Sequence, residues 1–365
     1  MSYCFETVCV KGDPDYESKD STGCVSVPIY QSACYGRGKL GQSTGFDYTR
    51  AENPTREYLE KTVAALDNAK YGFAFANGMA AITTYFLTLP KGSHVIVSED
   101  SYGGTIRLFD NLLYKSGITV TYVDSSNLEQ VEAAFTENTK ILYIETPGNP
   151  LMTISDIRGA ALIAHHYNAI LVVDNTFLTP YLQRPLDLGA DIVIQSGTKF
   201  LAGHNDTLAG FITTNNDEVA QQVKYISKTV GTALSPFDSW LVVRGIKTLP
   251  IRLDRQGENA RALVEFLKNQ KHVEKVLYPG VGSMISFYVD DEERAVKVLE
   301  KIRVIHFAES LGGVDSLMTY PFTQTHSDIP EEKRIAKGIT RKLLRLSVGI
   351  EGIADLKNDL EQALN

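Results

Sequence analysis

Past Cys34 the 365-residue chain contains no cysteine; Cys4, Cys9, Cys24 and Cys34 all fall in its first tenth. A disulfide framework for a fold of this size would be spread along the sequence. A structural metal site would favour close C-x-x-C pairs, and none occurs. The four residues are therefore read as thiols, and no metal is expected. The chain also lacks any run approaching the roughly 20 apolar residues that span a bilayer. Its N-terminus has neither the basic head nor the apolar stretch of a signal peptide, so a cytoplasmic place is expected. Positive charge is in deficit, with a net charge of -8, which argues against nucleic acid or an anionic membrane as partner. No internal repeat or low-complexity segment occurs.

The composition, 43% hydrophobic and 22% charged, is that of an ordinary globular protein, and the length suits two lobes with an additional arm. Residues 1–55, rich in Gly, Pro, Ser and Tyr, have no long periodic segment and read as an extended arm lying against another surface. From residue 56 the pattern is regular. Leu59, Val63 and Leu66 mark a helix over Arg56–Asn68. Strand-like runs follow at Tyr71–Ala76, His94–Ser98, Thr119–Val123, Ile141–Glu145, Ile170–Asp174, Ile192–Gln195 and Gly210–Thr213. Between them, Asn127–Phe135 and Ser155–Tyr167 read as helices, with Asn127 and Ser155 as expected N-caps. Short buried strands alternating with helices predict βαβ units and a mainly parallel sheet across residues 56–230. Over residues 231–365 strands are sparser. Helical Asn259–Asn269, strand-like Met284–Val289, helical Glu292–Ile302 and a last helix Ala354–Leu364 predict a smaller α+β domain.

Gly36-Arg37-Gly38-Lys39-Leu40-Gly41 matches G-x-G-x-x-G. A dinucleotide site needs that motif between a strand and a helix. A proline-containing run precedes it and Gly45 and Pro54 follow, so it is rejected as a nucleotide loop.

The chemistry centres on Ile192-Val193-Ile194-Gln195-Ser196-Gly197-Thr198-Lys199. A lysine directly after a buried strand stands at the carboxyl edge of a parallel sheet, where ligand crevices form. A desolvated lysine forms imines with aldehydes, and the hydroxyls of Ser196 and Thr198 suit a phosphate. Asp174 ends another buried strand 25 residues earlier, about one βαβ step, so the two strand ends can lie side by side. Together they suggest pyridoxal phosphate held as a Schiff base by Lys199, with Asp174 keeping the ring nitrogen protonated. Asn77-Gly78-Met79-Ala80-Ala81 joins a strand to a helix, and the glycine and the first-turn amides suit a phosphate.

These residues, with Tyr48-Thr49-Arg50, Ser101-Tyr102-Gly103-Gly104-Thr105, Glu145-Thr146-Pro147-Gly148-Asn149-Pro150, Asp174-Asn175-Thr176, Gly203-His204-Asn205-Asp206, Ser310-Leu311-Gly312-Gly313 and Arg345-Leu346-Ser347-Val348-Gly349-Ile350-Glu351, resemble the cystathionine-metabolising Cys/Met family of pyridoxal-phosphate enzymes. The resemblance implies an α/β, aspartate-aminotransferase-like fold, fold type I, with a large mainly parallel-sheet domain and a smaller C-terminal α+β domain. It implies that Lys199 holds the cofactor and carries the substrate α-proton, and that Tyr102 stacks on the ring and joins proton transfer. Gly78, Met79, Ser196 and Thr198 would bind the phosphate, Tyr48 and Arg50 the phosphate of a neighbouring subunit. Asn149 would sit near the ring hydroxyl, with Thr176 beside Asp174 among the cofactor-binding residues. Arg345 would clamp the substrate carboxylate with Ser310 nearby. A homotetramer built from two active dimers, and a small amino-acid substrate, are implied as well.

Leu311 after Ser310 resembles γ-synthases and γ-lyases rather than β-lyases, which carry Trp there. Tyr320-Pro321-Phe322-Thr323-Gln324-Thr325-His326 resembles bacterial members of both the γ-synthase and β-lyase groups. The expected activity is therefore that of a cystathionine γ-synthase or cystathionine lyase. A sulfhydrylase, a methionine γ-lyase (often with Cys where Gly104 stands) and an aminotransferase are the alternatives. Four departures stand out: Asn77 for a usual serine, Gly148 where Ser or Thr is common, Asp315 where many members have Glu, and a short segment from Tyr278 to Met284 where relatives carry a longer one.

Overall fold

The computed structural model describes residues 3–17, 22–325 and 330–365. Parts of the expected arm (1–2 and 18–21) and His326 lie outside these. Seven strands form the larger sheet: β1 (Tyr71–Phe75), β2 (His94–Ser98), β3 (Thr119–Val123), β4 (Thr139–Glu145), β5 (Ile170–Asp174), β6 (Ile192–Gln195) and β7 (Gly210–Thr214), in the order β1-β7-β6-β5-β4-β2-β3. Strands β2 to β6 pair in parallel, and β7 runs antiparallel to both β6 and β1. The central strands bury both faces, as Leu171, Val172 and Val173 do on β5, because helices cover the sheet on each side. The smaller sheet, β8 (Val273–Leu277), β9 (Met284–Val289), β10 (His306–Phe307), β11 (Leu317–Thr319) and β12 (Leu343–Ser347), has the order β10-β11-β12-β9-β8. The fold is thus the α/β, fold type I arrangement that the resemblance implied. No helix among the described residues is long and apolar enough to cross a membrane.

Several local expectations change. Within the expected arm, α1 (Phe5–Lys11) is helical and buries Val8 and Cys9 in the same cluster as Leu59 and Val63 of α2 (Pro54–Leu66). The apolar spacing was present but spans only two turns. Helix α3 (Gly78–Phe86) follows β1, and α4 (Gly103–Asn111) follows β2. Asn127 caps α5 (Leu128–Ala133) by accepting from Glu129 and Gln130 N–H. Ser155 does not cap α6 (Ile157–His166): Asp156 does, while the Ser155 hydroxyl donates to Ser125 Oγ at 2.7 Å. The helix expected over Asn259–Asn269 begins ten residues earlier, at Leu249, and ends at Lys268. Its buried face carries Arg252, Gln256 and Asn259, which break the apolar period that a sequence reading follows. Those polar groups brace loops. Arg252 Nη1 donates to Phe200 O (2.9 Å), Gln256 Nε2 to Gly313 O (2.7 Å) and Asn259 Nδ2 to Glu351 O (2.9 Å). The short segment Tyr278–Ser283 closes the antiparallel pair β8–β9, with positive φ at Gly280 and Gly282 and the Tyr278 hydroxyl on Gly282 O at 3.0 Å.

Asp67, just past α2, clamps β6 to β7: its Oδ2 accepts from Gln195 Nε2 and from the Thr213 hydroxyl, each at 2.8 Å. Its carboxyl is fully buried, and burial pushes it up to about 7. The folded state thus favours the protonated acid. Stability from this group is complete below the unfolded value near 4 and is lost as pH rises toward 7, by about 4 kcal/mol at most. In thermal melts from pH 4 to pH 8, Asp67→Asn is expected to gain on the parent as pH rises and to level off above pH 7; a pH-independent difference would show that Asp67 folds ionised.

Candidate active site

The carboxyl ends of β4, β5 and β6 open into one cleft of about 450 Å³. Strand pairing sets its floor. Glu145 and Asp174 are register partners across β4 and β5, and Asp174 pairs with Ile194 of β6. Asp174 Oδ1 accepts from Thr176 N (3.0 Å) and the Thr176 hydroxyl (2.5 Å), and Oδ2 accepts from the Tyr143 hydroxyl (3.1 Å). Ser196 N–H in turn donates to Thr176 Oγ1 at 2.8 Å, tying the end of β6 to that of β5. Thr198 and Ala209 exchange hydrogen bonds of 3.0 and 3.1 Å through the Thr198 hydroxyl. A Cβ on Gly197 would stand 2.3 Å from the Phe211 ring, so the turn onto Lys199 requires glycine there.

Lys199 Nζ donates to Ser310 Oγ at 3.1 Å. Burial, with the Arg345 charge adding, pushes its amine down to about 8, which leaves an appreciable fraction as the free nucleophile near neutral pH. Arg345, on β12, is almost wholly buried. Its Nη1 donates to Asn149 Oδ1 (2.7 Å), and its Nη2 to Ser310 O and the Thr319 hydroxyl (3.1 Å each). Its Nε–H is buried without a partner. Ser310 therefore touches both cations, hydroxyl toward Lys199 and carbonyl toward Arg345, and holds φ at +146° to do so. Such a backbone is strained for a non-glycine residue and persists only where its surroundings enforce it. Glu351, a possible competitor for Arg345, instead accepts from Ser316 N and its hydroxyl at 2.6 and 2.9 Å.

Gly78 opens α3 against the Ser196 side chain: a Cβ there would lie 3.0 Å from Ser196 Cβ and 3.2 Å from its hydroxyl. The space a side chain would fill faces a helix N-terminus and a hydroxyl, the donor set that suits a phosphate. With the depressed Lys199 amine, the buried Asp174 and the unpartnered Arg345 Nε–H, the residues present fit pyridoxal phosphate and an amino-acid carboxylate.

Of the residues singled out from sequence, Gly78, Met79, Tyr102, Asn149, Asp174, Thr176, Ser196, Thr198, Lys199, Ser310 and Arg345 all line this cleft. Tyr48 and Arg50 do not line it. Tyr48 is half-exposed, the Arg50 guanidinium lies 5.5 Å from its ring centroid, and Arg50 also bonds Lys228 O. His204 Nδ1–H donates to Ala202 O at 2.7 Å, and the residue lies outside the cleft. Sequence reasoning passed over Glu145 as a cleft residue, although it ends a buried strand as Asp174 does. Its Oε2 accepts the Tyr102 N–H at 2.8 Å, holding the start of α4. Glu309 and Phe177 also line the cleft without a distinguishing sequence signal, and Thr325 lines it from the run that begins at Tyr320.

Gly148 departs from the usual pattern for a local reason. A Cβ there would stand 2.3 Å from Asp100 Oδ2 and 2.7 Å from Asp100 O. Asp100 is the carboxylate that accepts from Leu151 and Thr153 N–H at 3.2 Å each and so shapes the loop bearing Asn149. Gly148→Ser is expected to cost about 1–3 kcal/mol by overpacking, read by denaturant melts; an unchanged midpoint would mean that Asp100 yields freely.

The family model for "Cys/Met metabolism PLP-dependent enzyme" matches residues 6–365. Cystathionine gamma-synthase of Haemophilus influenzae is 53% identical over 348 residues, 95% of this chain and 94% of that protein. A Bacillus subtilis protein, cystathionine gamma-synthase/O-acetylhomoserine (thiol)-lyase, is 50% identical over 95% of this chain and 93% of its own length. Among solved structures, cystathionine gamma-lyase from Lactobacillus plantarum, complexed with L-serine, superposes with a TM-score of 0.96 at 40% identity, covering 99% of this chain and 98% of that one. On fold, site and sequence together, the chain belongs to the Cys/Met metabolism family of pyridoxal-phosphate-dependent enzymes.

Proposed function

We propose that this enzyme is a cystathionine γ-synthase, replacing the acyloxy group on the γ-carbon of an acylated homoserine with the sulfur of cysteine and releasing the acyl group as a carboxylate. The observation that carries the reading is the cleft itself. It joins an amine, Lys199, to a carboxylate clamp, Arg345, through Ser310, with Leu311 beside it on the wall. Likeness over nearly the full length to relatives bearing that activity supports the choice. Pyridoxal phosphate, when bound, supplies an aldehyde that captures amines and a ring that accepts the electron pair released at the substrate α-carbon.

The chain's own residues do the rest. Gly78, Met79, Ser196 and Thr198 would hold the phosphate end. Asp174 would pair with the ring nitrogen, flanked by Thr176, and Asn149 would stand near the ring hydroxyl. Arg345 offers its spare Nε–H to the substrate carboxylate. Lys199 would move the α-proton. Burial pushes the Tyr102 phenol up, so it would stay protonated while its ring stacks on the cofactor. Gly104 supports a γ-synthase over a methionine γ-lyase: a Cβ there would meet the Tyr102 ring at 2.5 Å and Met79 Sδ at 3.1 Å, so a cysteine would displace that ring. Cystathionine lysis in the same cleft is the second reading, favoured by the same Leu311.

The division into an arm (1–55), a cofactor-binding domain (56–230) and a C-terminal domain (231–365) belongs to this proposal. So does a homotetramer of two active dimers, supported by the position of Tyr48 and Arg50 outside their own cleft. The cysteine thiols suit the reducing cytoplasm.

Product analysis with an acylated homoserine plus cysteine, and separately with cystathionine, tests the reaction. Cystathionine formation is expected from the first pair and is to be nearly abolished, with loss of the absorbance of the lysine-linked cofactor, in Lys199→Ala; full turnover in that variant would end the reading. Sedimentation is expected to give a tetramer, and a fully cofactor-loaded monomer would contradict the cross-subunit role of Tyr48 and Arg50.

A further inference from the structure

Two carboxylic acids meet at the floor of the cleft. Glu145 and Asp174 end adjacent parallel strands as register partners, and both are buried, at 6% and 7% exposure. Two charges so close and so poorly hydrated do not both persist; one acid keeps its proton. Which one keeps it is decided by the donors each carboxyl receives, because N–H and O–H donors favour the ionised form. Asp174 receives three: Thr176 N–H, the Thr176 hydroxyl and the Tyr143 hydroxyl. Glu145 receives one, the Tyr102 N–H. Two of the three donors to Asp174 come from its own neighbour in sequence. The third, Tyr143, reaches across from β4, the strand that carries Glu145, and is itself wholly buried.

We propose that Tyr143 is a positioning residue that fixes which carboxylate carries the charge: by donating to Asp174 Oδ2 it assigns the negative charge to Asp174 and the proton to Glu145. The inference rests on the role given to Asp174 above, since a neutral acid at that place would not hold a protonated ring nitrogen. The other charged or titratable groups facing the pair or lining the same cleft are Asp100 and Tyr102, between β2 and α4, Arg345 on β12, Lys199 after β6 and Glu309 beside Ser310. Arg345 alone among them is a fixed cation; its charge lowers Glu145, but by less than burial and the Asp174 and Asp100 charges raise it. Burial raises both acids. Glu145 is lifted well above the usual carboxylate range, with the Asp174 charge the next cause, while the rise of Asp174 is opposed by Thr176 and Tyr143. The proton thus sits on the acid with fewer donors, the division by environment seen where paired carboxylates take different roles.

Tyr143→Phe removes the hydroxyl and keeps the ring, which packs 5.9 Å from Phe86 between centroids. With the apoprotein reconstituted by pyridoxal phosphate, the Kd for the cofactor and the pH titration of its visible absorbance are the first readouts. The variant is expected to bind about 10-fold more weakly, to displace the titration midpoint, and to lower kcat about 10- to 100-fold, the range of one charged hydrogen bond. KM is expected to stay within about 3-fold, since the substrate clamp is elsewhere. Adding Glu145→Gln removes the competing acid while leaving an acceptor for Tyr102 N–H, and the double variant is expected to recover the parent spectrum and much of kcat. Parent-like Kd and titration in Tyr143→Phe, or no recovery in the double variant, would overturn the proposal. Asp174→Asn separates the two layers: if it too keeps the parent Kd and spectrum, the role of Asp174 is what fails, whereas an impaired Asp174→Asn beside an unaffected Tyr143→Phe refutes only Tyr143. Should thermal melts show Tyr143→Phe unfolded, Glu145→Gln tests the proton assignment on which the role of Tyr143 depends. Glutamine copies a protonated acid, so the titration midpoint is expected to stay in place, and a displaced one would place the charge on Glu145.

Discussion

The hydroxyl of Thr176 donates to Asp174 Oδ1 at 2.5 Å and accepts the Ser196 N–H at 2.8 Å, and through those two bonds the acid end of β5 and the lysine-bearing turn after β6 become one rigid frame. Parallel strands bring the two ends close but do not set the angle at which the chain leaves each strand. Here that angle is set by a buried hydrogen-bond chain, whose value rises because water is excluded and an unpaired group would be costly. Asp174 fixes Thr176, Thr176 fixes Ser196, and three residues later the chain reaches Lys199. The Thr198–Ala209 exchange and the close fit of Gly197 under Phe211 complete the turn.

The smaller sheet supplies the opposite wall by the same economy. β12 presents Arg345, and the loop before β11 presents Ser310, whose strained backbone lets one residue contact the Lys199 amine and the Arg345 guanidinium together. The long helix Leu249–Lys268 binds the backbone on both sides, at Phe200 just past the lysine and at Gly313 just past the serine. Its buried polar residues thus couple the two walls, and the cleft width follows from hydrogen bonds of fixed length rather than from apolar contact alone. Cleft residues held this way pre-organise a site before any ligand arrives.

Much of this was legible in the residues. The central strands of the larger sheet were read within a residue or two because both faces are apolar and β-branched, and hydrophobic periodicity reports burial directly. Asp174 and Lys199 stood out because a charge at the end of such a run is conspicuous. Where burial is satisfied by polar contacts the reading failed. Arg252 and Gln256 hid half a helix, β12 was hidden behind its buried Arg345, and Ser155 competed with Asp156 as a cap because both residue types accept from first-turn amides. Helix α1 was missed because two turns carry too few apolar positions to show a period.

The residue order by itself determined the alternation of buried strands and helices, hence the parallel sheet and the set of side chains gathered at its carboxyl edge, because side-chain burial follows local periodicity and chain connectivity. Its ordered motifs determined the family. Tertiary structure alone decided the pairing of Glu145 with Asp174 and the reach of Tyr143 to that pair. It also decided the placing of Ser310 between two cations, and the demand for glycine at 148, where Asp100 occupies the space of a Cβ. Those contacts join residues far apart in the chain, and their geometry depends on strand register and on distances of a few ångströms, quantities that no local pattern of residue types encodes.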